Sequence, residues 1–300
     1  MTPRLRFAPS PNGPLHLGHA LSALANEAVA QREGGHWSLR IEDIDATRAQ
    51  PRHEASILDD LSWLGLDWTG PVTRQSERMD LYADALTMLR GEGLLYPCYA
   101  TRGDIRRALG EGAARDPDGA PLYPGLHKEL AATERLALEA EGRAPAWRID
   151  MAAALTRLGD QTLWWEEDGA GPAGETGRIR AEPTAWGDVV IARRDTPTSY
   201  HLSVVVDDAA QGITHVVRGR DLFHATSVQR LLQHFLALPA PRYLHHHLLL
   251  GEDRAKLSKS QDAPRLSLLR ERGVAPSAIR AALLEPPLSG PDRPAPFFSR

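Results

Sequence analysis

The sequence predicts an α/β fold built on a parallel β-sheet, and its N-terminal part carries much of that prediction. An alternating segment at residues 5–8 is followed by a dense turn signal at residues 9–14. A helical pattern of apolar residues begins after His16, and a second alternating segment occupies residues 37–41. Strand, turn, helix and strand in this order form a βαβ unit, whose parallel strands bind ligands at their carboxyl ends.

Continuous apolar runs return in the second half of the chain, at residues 187–192, 204–206 and 213–217. Such runs are typical of strands that are buried on both faces of a parallel sheet. Amphipathic helices are predicted at residues 224–236 and 276–284. We therefore expect this part of the chain to supply the second half of the same sheet.

Between these halves the regular pattern loosens. Residues 53–95 have helical leucine spacing, but Gly, Pro and Ala then interrupt the pattern as far as about residue 183, and residues 168–177 have the composition of a loop. We interpret this part as an inserted α+β subdomain. The predicted organisation is a first half of the sheet domain at 1–96, the insertion at 97–183, the second half at 184–255, and a loop with a short helical tail at 256–300, frayed over its Pro-rich residues 286–297.

Composition limits the class of protein. The net charge of −4 gives no overall basic signal, so a nucleic acid would have to be bound by local arginine clusters. The single cysteine, Cys98, excludes an internal disulfide framework and suits a reducing cytosol. No apolar run approaches the roughly 18 residues of a membrane span, and the N-terminus lacks the apolar core of a signal peptide. We expect a cytoplasmic monomer that does not bind membranes.

Two histidines mark the predicted turn between the first strand and its helix. His16 and His19 flank Gly18 at a helix start, where backbone N–H groups favour anions and a glycine permits close approach of a base or ribose. Taken alone, these four residues could equally be a helix start with two solvated histidines. The strand before them and the apolar helix after them favour a nucleotide site.

A second motif, Lys256-Leu-Ser258-Lys259-Ser, holds two of the three lysines in the chain, the third being Lys128. A lysine supplies a compact point charge that can follow a phosphate, whereas an arginine fork is more rigid. In nucleotidyl transfer the protein chiefly positions the reactants and stabilises charge on the phosphate oxygens. A lysine loop alone could be a solvated loop, but together with the histidine turn it predicts an ATP site.

These motifs resemble those of class I aminoacyl-tRNA synthetases, specifically the glutamyl branch. The matching segments cover both predicted halves of the sheet and the lysine loop, whereas the insertion matches weakly. It includes residues 6–13, 39–45, 187–195, 200–202, 205–208 and 217–222. The resemblance implies a Rossmann-like sheet with helices on both faces, with ATP and Mg²⁺ used to activate L-glutamate. It places His16, Gly18, His19, Lys256, Ser258 and Lys259 at ATP, with the two histidines and two lysines as catalytic residues.

The resemblance also implies a glutamate pocket. Arg6 and Arg218 would bind the side-chain carboxylate, because guanidinium groups bind carboxylates strongly, and Glu42 would accept the α-ammonium group. For an arbitrary arginine, a surface ion pair would be the commoner role. The pocket would be completed by Ala8, Ser10 and Tyr200. Asp207 and Asp208 also match the family, and we expect them to be structural.

The chain is shorter than full glutamyl-tRNA synthetases. Forty residues follow Ser260, fewer than the roughly 50 of the smallest ordinary domain, so no anticodon-binding domain is expected. The chain therefore resembles the truncated paralogues that are glutamyl-queuosine tRNA(Asp) synthetases. This implies glutamate activation without tRNA and transfer to the queuosine base of tRNA(Asp). Two alternatives stay open: a truncated enzyme that charges a tRNA 3′ end, and a non-catalytic relic that binds nucleotide or amino acid.

Members of that family often carry a zinc site in the insertion, formed by Cys-x-Cys and Tyr-x-x-x-Cys. Here Cys98, Tyr123 and His127 offer at most three ligands, one of them poor, whereas structural zinc normally has four nitrogen or sulfur ligands. The sequence therefore predicts no zinc. His245, His246 and His247 are not expected to bind one ion either, because successive residues of a strand point to opposite faces.

Overall fold

The chain forms a mixed α/β structure around a parallel sheet, and the computed structural model describes residues 2–251, 257 and 265–297. The strands are β1 (Arg4–Phe7), β2 (His36–Ile41), β3 (Thr73–Arg74), β4 (Leu95–Cys98), β5 (Ala146–Ile149), β6 (Trp164–Glu167), β7 (Gly177–Arg180), β8 (Val190–Ala192), β9 (His215–Gly219), β10 (Arg242–His246), β11 (Leu249–Leu250) and β12 (Arg293–Pro294).

The helices lie between these strands and at the end of the chain. They are α1 (Leu17–Arg32), α2 (Pro51–Trp63), α3 (Met79–Gly91), α4 (Arg102–Ala108), α5 (Ala132–Ala140), α6 (Met151–Leu158), α7 (Tyr200–Ala210), α8 (Ala225–Phe235), α9 (Leu266–Glu271) and α10 (Pro276–Leu284). None of the helices in the described ranges has the length and apolar character needed to cross a bilayer.

The parallel sheet has two parts. Strands β1, β2 and β3 pair in parallel, and so do β6, β10 and β9, with β7 antiparallel at the edge. The two parts meet at β1 and β9, where Thr214 N donates to the Arg4 carbonyl at 2.9 Å. A parallel sheet of this kind brings the carboxyl ends of its central strands to one edge, and the candidate site lies there.

Residues 204–206 were expected to form a strand, but they belong to helix α7, so that prediction was wrong. Val204 and Val205 are buried, and α7 packs against α3 and α8. A three-residue apolar run cannot distinguish a buried helix from a buried strand, because both hide such a run from water.

Two other boundaries differ from the prediction. The helical region at 53–95 is two helices, α2 and α3, separated by β3 and a short 3₁₀ turn, and residue 95 already begins β4. The Pro-rich residues 286–297 are not a frayed tail, because β12 pairs in parallel with β11 and Ala295 is buried. Backbone hydrogen bonds to a neighbouring strand, such as Ala295 N to the Leu250 carbonyl, hold this segment.

The boundary expected at residues 183–184 does not separate two sheets. Strands β6 and β7 precede it, yet they extend the sheet of the second half through β10. Strand β8 follows it, yet it pairs antiparallel with β5, which in turn pairs with β4. Strands from the insertion therefore belong to the sheet of the second half, and a strand from the second half belongs to the sheet of the insertion. A change of residue pattern along the chain does not reveal such pairing.

Residues Cys98, Tyr123 and His127 form a hydrogen-bonded cluster in the insertion. Cys98 Sγ donates to Tyr123 Oη at 3.2 Å, the His127 backbone N–H donates to the same oxygen at 3.1 Å, and His127 Nδ1 accepts from Tyr99 N at 2.9 Å. The cluster offers one sulfur, one imidazole and one phenol oxygen, at most three ligands. The residues therefore do not fit the four-ligand zinc site of the family.

We expect the insertion to fold without zinc. Elemental analysis of protein purified in metal-free buffer should find no stoichiometric zinc, and a zinc chelator should leave the melting temperature unchanged. Cys98→Ala should instead lower stability, because it removes a buried donor to Tyr123. One zinc per chain, or unfolding by the chelator, would contradict this prediction.

Asp207 and Asp208 on α7 connect distant parts of the chain. Asp207 is fully buried and accepts hydrogen bonds from Gln75 Nε2 at 2.8 Å, Arg78 Nε at 2.6 Å and Tyr82 Oη at 2.8 Å. These are contacts of a structural residue, since three donors converge on one buried carboxylate. Asp208, the next residue of α7, is also buried and accepts hydrogen bonds from two arginines beside the candidate site.

Replacing Asp207 with Asn should destabilise the fold by about 3 kcal/mol, because an amide nitrogen would meet a buried donor and Arg78 would lose its anion. Urea denaturation would measure the loss. Asp84→Asn, an exposed change on α3, should alter the free energy of unfolding by no more than about 0.5 kcal/mol. Equal stabilities of the two variants would contradict the structural role.

Candidate active site

A cavity of about 610 Å³ opens at the carboxyl ends of β1, β9 and β10. It brings together every described residue that the sequence assigned to ATP or glutamate. Those residues are Arg6, Ala8, Ser10, His16, Gly18, His19, Glu42, Tyr200 and Arg218. They come from both halves of the sheet, so the cavity exists only when the two halves are joined.

The histidine turn is a helix cap. His16 is the N-cap of α1, and its Nδ1 accepts from Gly18 N at 3.1 Å. His19 Nδ1 accepts from His16 N at 3.2 Å, and the two rings lie 3.8 Å apart. Because Nδ1 accepts in both rings, Nε2 is the N–H donor of each neutral imidazole.

Gly18 is required for this cap. A Cβ atom at residue 18 would lie 2.9 Å from His16 Cε1, so a side chain there would displace the histidine ring. The sequence interpretation had Gly18 leave room for a base or ribose. In the structure the close neighbour of Gly18 is the His16 imidazole, and the glycine protects its orientation.

Lys256, Ser258 and Lys259 lie outside the described residues. Leu257, between them, is buried, lines the cavity, and donates its N–H to the Leu249 carbonyl at 3.1 Å. Further along, Arg265 forms a β-bridge with His16, and Leu266 N donates to the Leu15 carbonyl at 3.0 Å. The described residues nearest the lysine motif therefore lie beside the histidine turn.

Arg6 is held by an acidic partner. Its Nε donates to Asp208 Oδ1 at 2.9 Å, and Arg40 Nη1 donates to the same oxygen at 2.8 Å. Burial alone would raise the pKa of Asp208, but the two guanidinium groups lower it below its usual value. Among the described residues, the terminal nitrogens of Arg6 have no hydrogen-bond partner, and Arg6 lines the cavity.

Arg218 differs from Arg6, because its partners are neutral. Nε donates to His245 Nε2 at 3.0 Å, Nη2 donates to Thr226 Oγ1 at 2.8 Å and to the Leu222 carbonyl at 3.1 Å, and Nη1 approaches Tyr200 Oη at 3.4 Å. The residue is 6% exposed. No carboxylate of the described chain pairs with it, so Arg218 is a buried cation that an anionic ligand would stabilise.

Glu42 follows the end of β2 and faces the same cavity. Arg40 Nη2 approaches its carboxylate at 3.4 Å. Burial raises the pKa of Glu42, while Arg40 and Arg6 act in the opposite direction. A ligand ammonium group beside this carboxylate would replace some of the water that burial removes and would favour its ionised form.

Some residues of the cavity were not identified from the sequence. Ser22 Oγ is 2.8 Å from His246 Nε2, and both residues line the cavity, as does Asp221. Arg40 was also missed, although it organises Asp208 and Glu42. A charged residue between Leu39 and Ile41 in an otherwise apolar strand was the signal that could have revealed it.

The described residues of this region do not form a site for a resident metal ion. Within the described part of the chain, no group of three or more His, Cys, Asp or Glu residues is arranged to hold an ion. His245, His246 and His247 are buried and bonded to separate groups: Glu167 and Arg218, Ser22, and Leu288 with Arg293.

Comparison with known proteins places the chain among tRNA synthetases. Residues 3–286 match the family of class I tRNA synthetases (E and Q), catalytic domain. The chain is 48% identical over 283 residues to a glutamyl-Q tRNA(Asp) synthetase of Rhodobacter capsulatus, covering 92% of this chain and 97% of that protein. A protein of the same name from Symbiobacterium thermophilum is 42% identical, with 91% and 83% covered. Glutamate–tRNA ligase 2 of Syntrophus aciditrophicus is 37% identical, with 92% and 56% covered.

The fold agrees with these sequence matches. A crystal structure of a glutamate tRNA ligase from Elizabethkingia meningosepticum, in complex with its amino acid, superposes with a TM-score of 0.74 and 26% identity. The superposition covers 94% of this chain and 60% of the chain of that ligase. The match of the family over nearly the whole described chain shows that this protein belongs to the glutamyl and glutaminyl class I tRNA synthetases, a family of ligases.

Proposed function

We propose that this protein activates L-glutamate with ATP in the absence of tRNA and then transfers the glutamyl group to the queuosine base of tRNA(Asp). The observation that carries the glutamate assignment is Arg218, a buried guanidinium with neutral protein partners at the edge of the cavity. A buried cation of this kind favours an anionic substrate group.

Glutamate would bind with its side-chain carboxylate against Arg218 and Arg6. Its α-ammonium group would lie against Glu42, with Ala8, Ser10 and Tyr200 completing the pocket. Glutamine has the same shape but a neutral side chain, so it would leave the Arg218 cation without an anion. Sites built around a buried polar partner reject such analogues strongly.

ATP would place its adenosine at His16, Gly18 and His19 and its phosphates toward Lys256 and Lys259. The α-carboxylate of glutamate attacks the α-phosphorus in line, and pyrophosphate leaves. The Nε2–H groups of the histidines and the lysine ammonium groups stabilise negative charge on the phosphate oxygens. Mg²⁺, when bound together with ATP, would supply further charge neutralisation. No protein base is needed, because the attacking carboxylate is already ionised.

The second step would use a hydroxyl group of the queuosine cyclopentene ring as the nucleophile. It attacks the carbonyl carbon of glutamyl-adenylate, an ester bond forms, and AMP leaves. This acceptor is supported by the relatives named glutamyl-Q tRNA(Asp) synthetase, which the chain covers over 97% and 83% of their lengths. The relatives named glutamate–tRNA ligase favour a second candidate acceptor, the 3′ end of a tRNA.

Arg218→Gln should lower kcat/KM for glutamate by at least about a hundredfold, because it removes the buried charge that pairs with the substrate carboxylate. Glutamate-dependent exchange between ATP and pyrophosphate measures this step. The KM for ATP should change little. Arg242→Gln, which alters an exposed arginine on β10, is the matched control and should retain normal exchange. Normal exchange in Arg218→Gln would remove this residue from the glutamate site.

The acceptor can be identified by transfer of labelled glutamate. We expect transfer to tRNA(Asp) that carries queuosine, and none to tRNA(Asp) that carries guanine at that position. The product should persist after removal of the tRNA 3′ adenosine, because the ester lies in the anticodon. Transfer to tRNA(Glu) that depends on an intact 3′ end would instead establish the second candidate acceptor.

A further inference from the structure

A buried carboxylate at the end of β6 accepts hydrogen bonds from four donors. Glu167 is 2% exposed, and its Oε1 accepts from His245 N at 2.8 Å and Gly169 N at 3.0 Å. Its Oε2 accepts from His245 Nδ1 at 2.6 Å and Trp165 Nε1 at 3.3 Å. The cavity residues described above do not include Glu167, so these contacts need a separate explanation.

His245 connects this carboxylate to Arg218. Its Nδ1 faces Glu167, and its Nε2 lies 3.0 Å from Arg218 Nε. An ionised carboxylate only accepts, so Nδ1 carries the proton, and Nε2 is then free of hydrogen and accepts from the guanidinium. Burial, together with the Arg218 charge, lowers the pKa of His245 to about 4 despite the hydrogen bond to Glu167, so the ring is neutral at pH 7.

The imidazole has little freedom to rotate. His245 is fully buried, its ring is parallel to Tyr243 with centroids 5.9 Å apart, and the Phe223 ring meets it edge-on at 5.3 Å. The loop after β6 packs against the backbone of His245, where Ala170 N donates to the His245 carbonyl at 3.1 Å. A Cβ atom at Gly169 would lie 2.4 Å from the His245 carbonyl oxygen, so only glycine allows this approach.

We propose that Glu167 and His245 form a positioning relay that orients Arg218 toward the side-chain carboxylate of glutamate and thereby sets the preference for glutamate over glutamine. With Nε held by His245 and Nη2 by Thr226 and the Leu222 carbonyl, Nη1 is the nitrogen left to the cavity side. The relay rests on the proposed function. Neither Glu167 nor His245 touches the substrate in this scheme.

Glu167→Gln is the decisive substitution, because it keeps the shape and alters the donor pattern. A carboxamide has one acceptor oxygen, so it cannot accept from both pairs of donors. If its nitrogen faces His245 Nδ1, the ring must move its proton to Nε2, which then confronts the N–H of Arg218 Nε. The same kind of tautomer reversal is what disables the aspartate-to-asparagine variant of a serine protease triad. Arg218 would be displaced from its orientation.

We expect Glu167→Gln to raise the KM for glutamate in pyrophosphate exchange by at least about tenfold, a change of roughly 1.4 kcal/mol in binding. The kcat and the KM for ATP should stay within about twofold, and the preference for glutamate over glutamine should fall by the same factor as binding. A purely structural role would lower the melting temperature without this selective change in the glutamate KM.

Matched variants separate the relay from general damage. Asp168→Asn alters the neighbouring residue, which pairs with Arg242 on the surface of the same strand junction, and should leave the glutamate KM unchanged. His245→Phe should reproduce the defect, since it removes the acceptor for Arg218. His245→Gln can donate to Glu167 and accept from Arg218, and should restore part of the affinity. If Glu167→Gln fails to fold, the two His245 variants carry the same comparison.

The outcomes are distinguishable. A wild-type KM for glutamate in folded Glu167→Gln, or equal KM values in His245→Phe and His245→Gln, would refute the relay alone. If Glu167→Gln raised the KM for ATP as much as the KM for glutamate, that result would refute the relay as well. Absence of glutamate-dependent exchange in the wild-type protein would refute the proposed function together with the relay.

Discussion

Asp208 is the residue on which the active-site edge of the sheet depends. Its carboxylate holds Arg6 from β1 and Arg40 from β2, while its own helix, α7, belongs to the second half of the chain. Separating α7 from β1 and β2 would be costly, because Arg6 would lose its paired carboxylate in a dry interior and Arg40 would keep only Glu42 as an anionic partner. The pair of arginines therefore joins the halves of the sheet at the place where the cavity forms.

This arrangement divides the cationic groups of the cavity into two kinds. Arg6 is paired with Asp208, which it shares with Arg40. Arg218 has neutral partners, and in the proposed function it would gain its counter-ion from the bound substrate. In the proposed function, Arg218 would therefore be the arginine whose charge is balanced only when substrate is bound. If the proposed function holds, the surroundings of Arg218, rather than the number of arginines, would decide which amino acid is preferred.

Local patterns predicted much of the fold and part of the site. The βαβ unit, α8, α10 and the histidine turn were predictable, because apolar periodicity and helix-start residues are properties of neighbouring residues. The strand at 204–206 and the boundary at 183–184 were not, because packing and strand exchange decide them. Arg6, Glu42 and Arg218 were identified through a family resemblance. Glu167 contacts His245, and Arg40 contacts Asp208, although the partners are far apart in sequence. Patterns of neighbouring residues cannot predict such contacts.

The pairing of β12 with β11 bears on how small a working version of this protein can be. Leu248 and Leu249 form part of the cavity wall, and the backbone of Leu248 is held by Asp292 and Arg293. Arg220, next to the cavity, is bonded to the Gly290 carbonyl. The segment 290–295 thus supports this wall of the cavity. A minimal catalytic unit has to keep the chain through Ala295, even though the last helix of the described residues ends eleven residues earlier at Leu284.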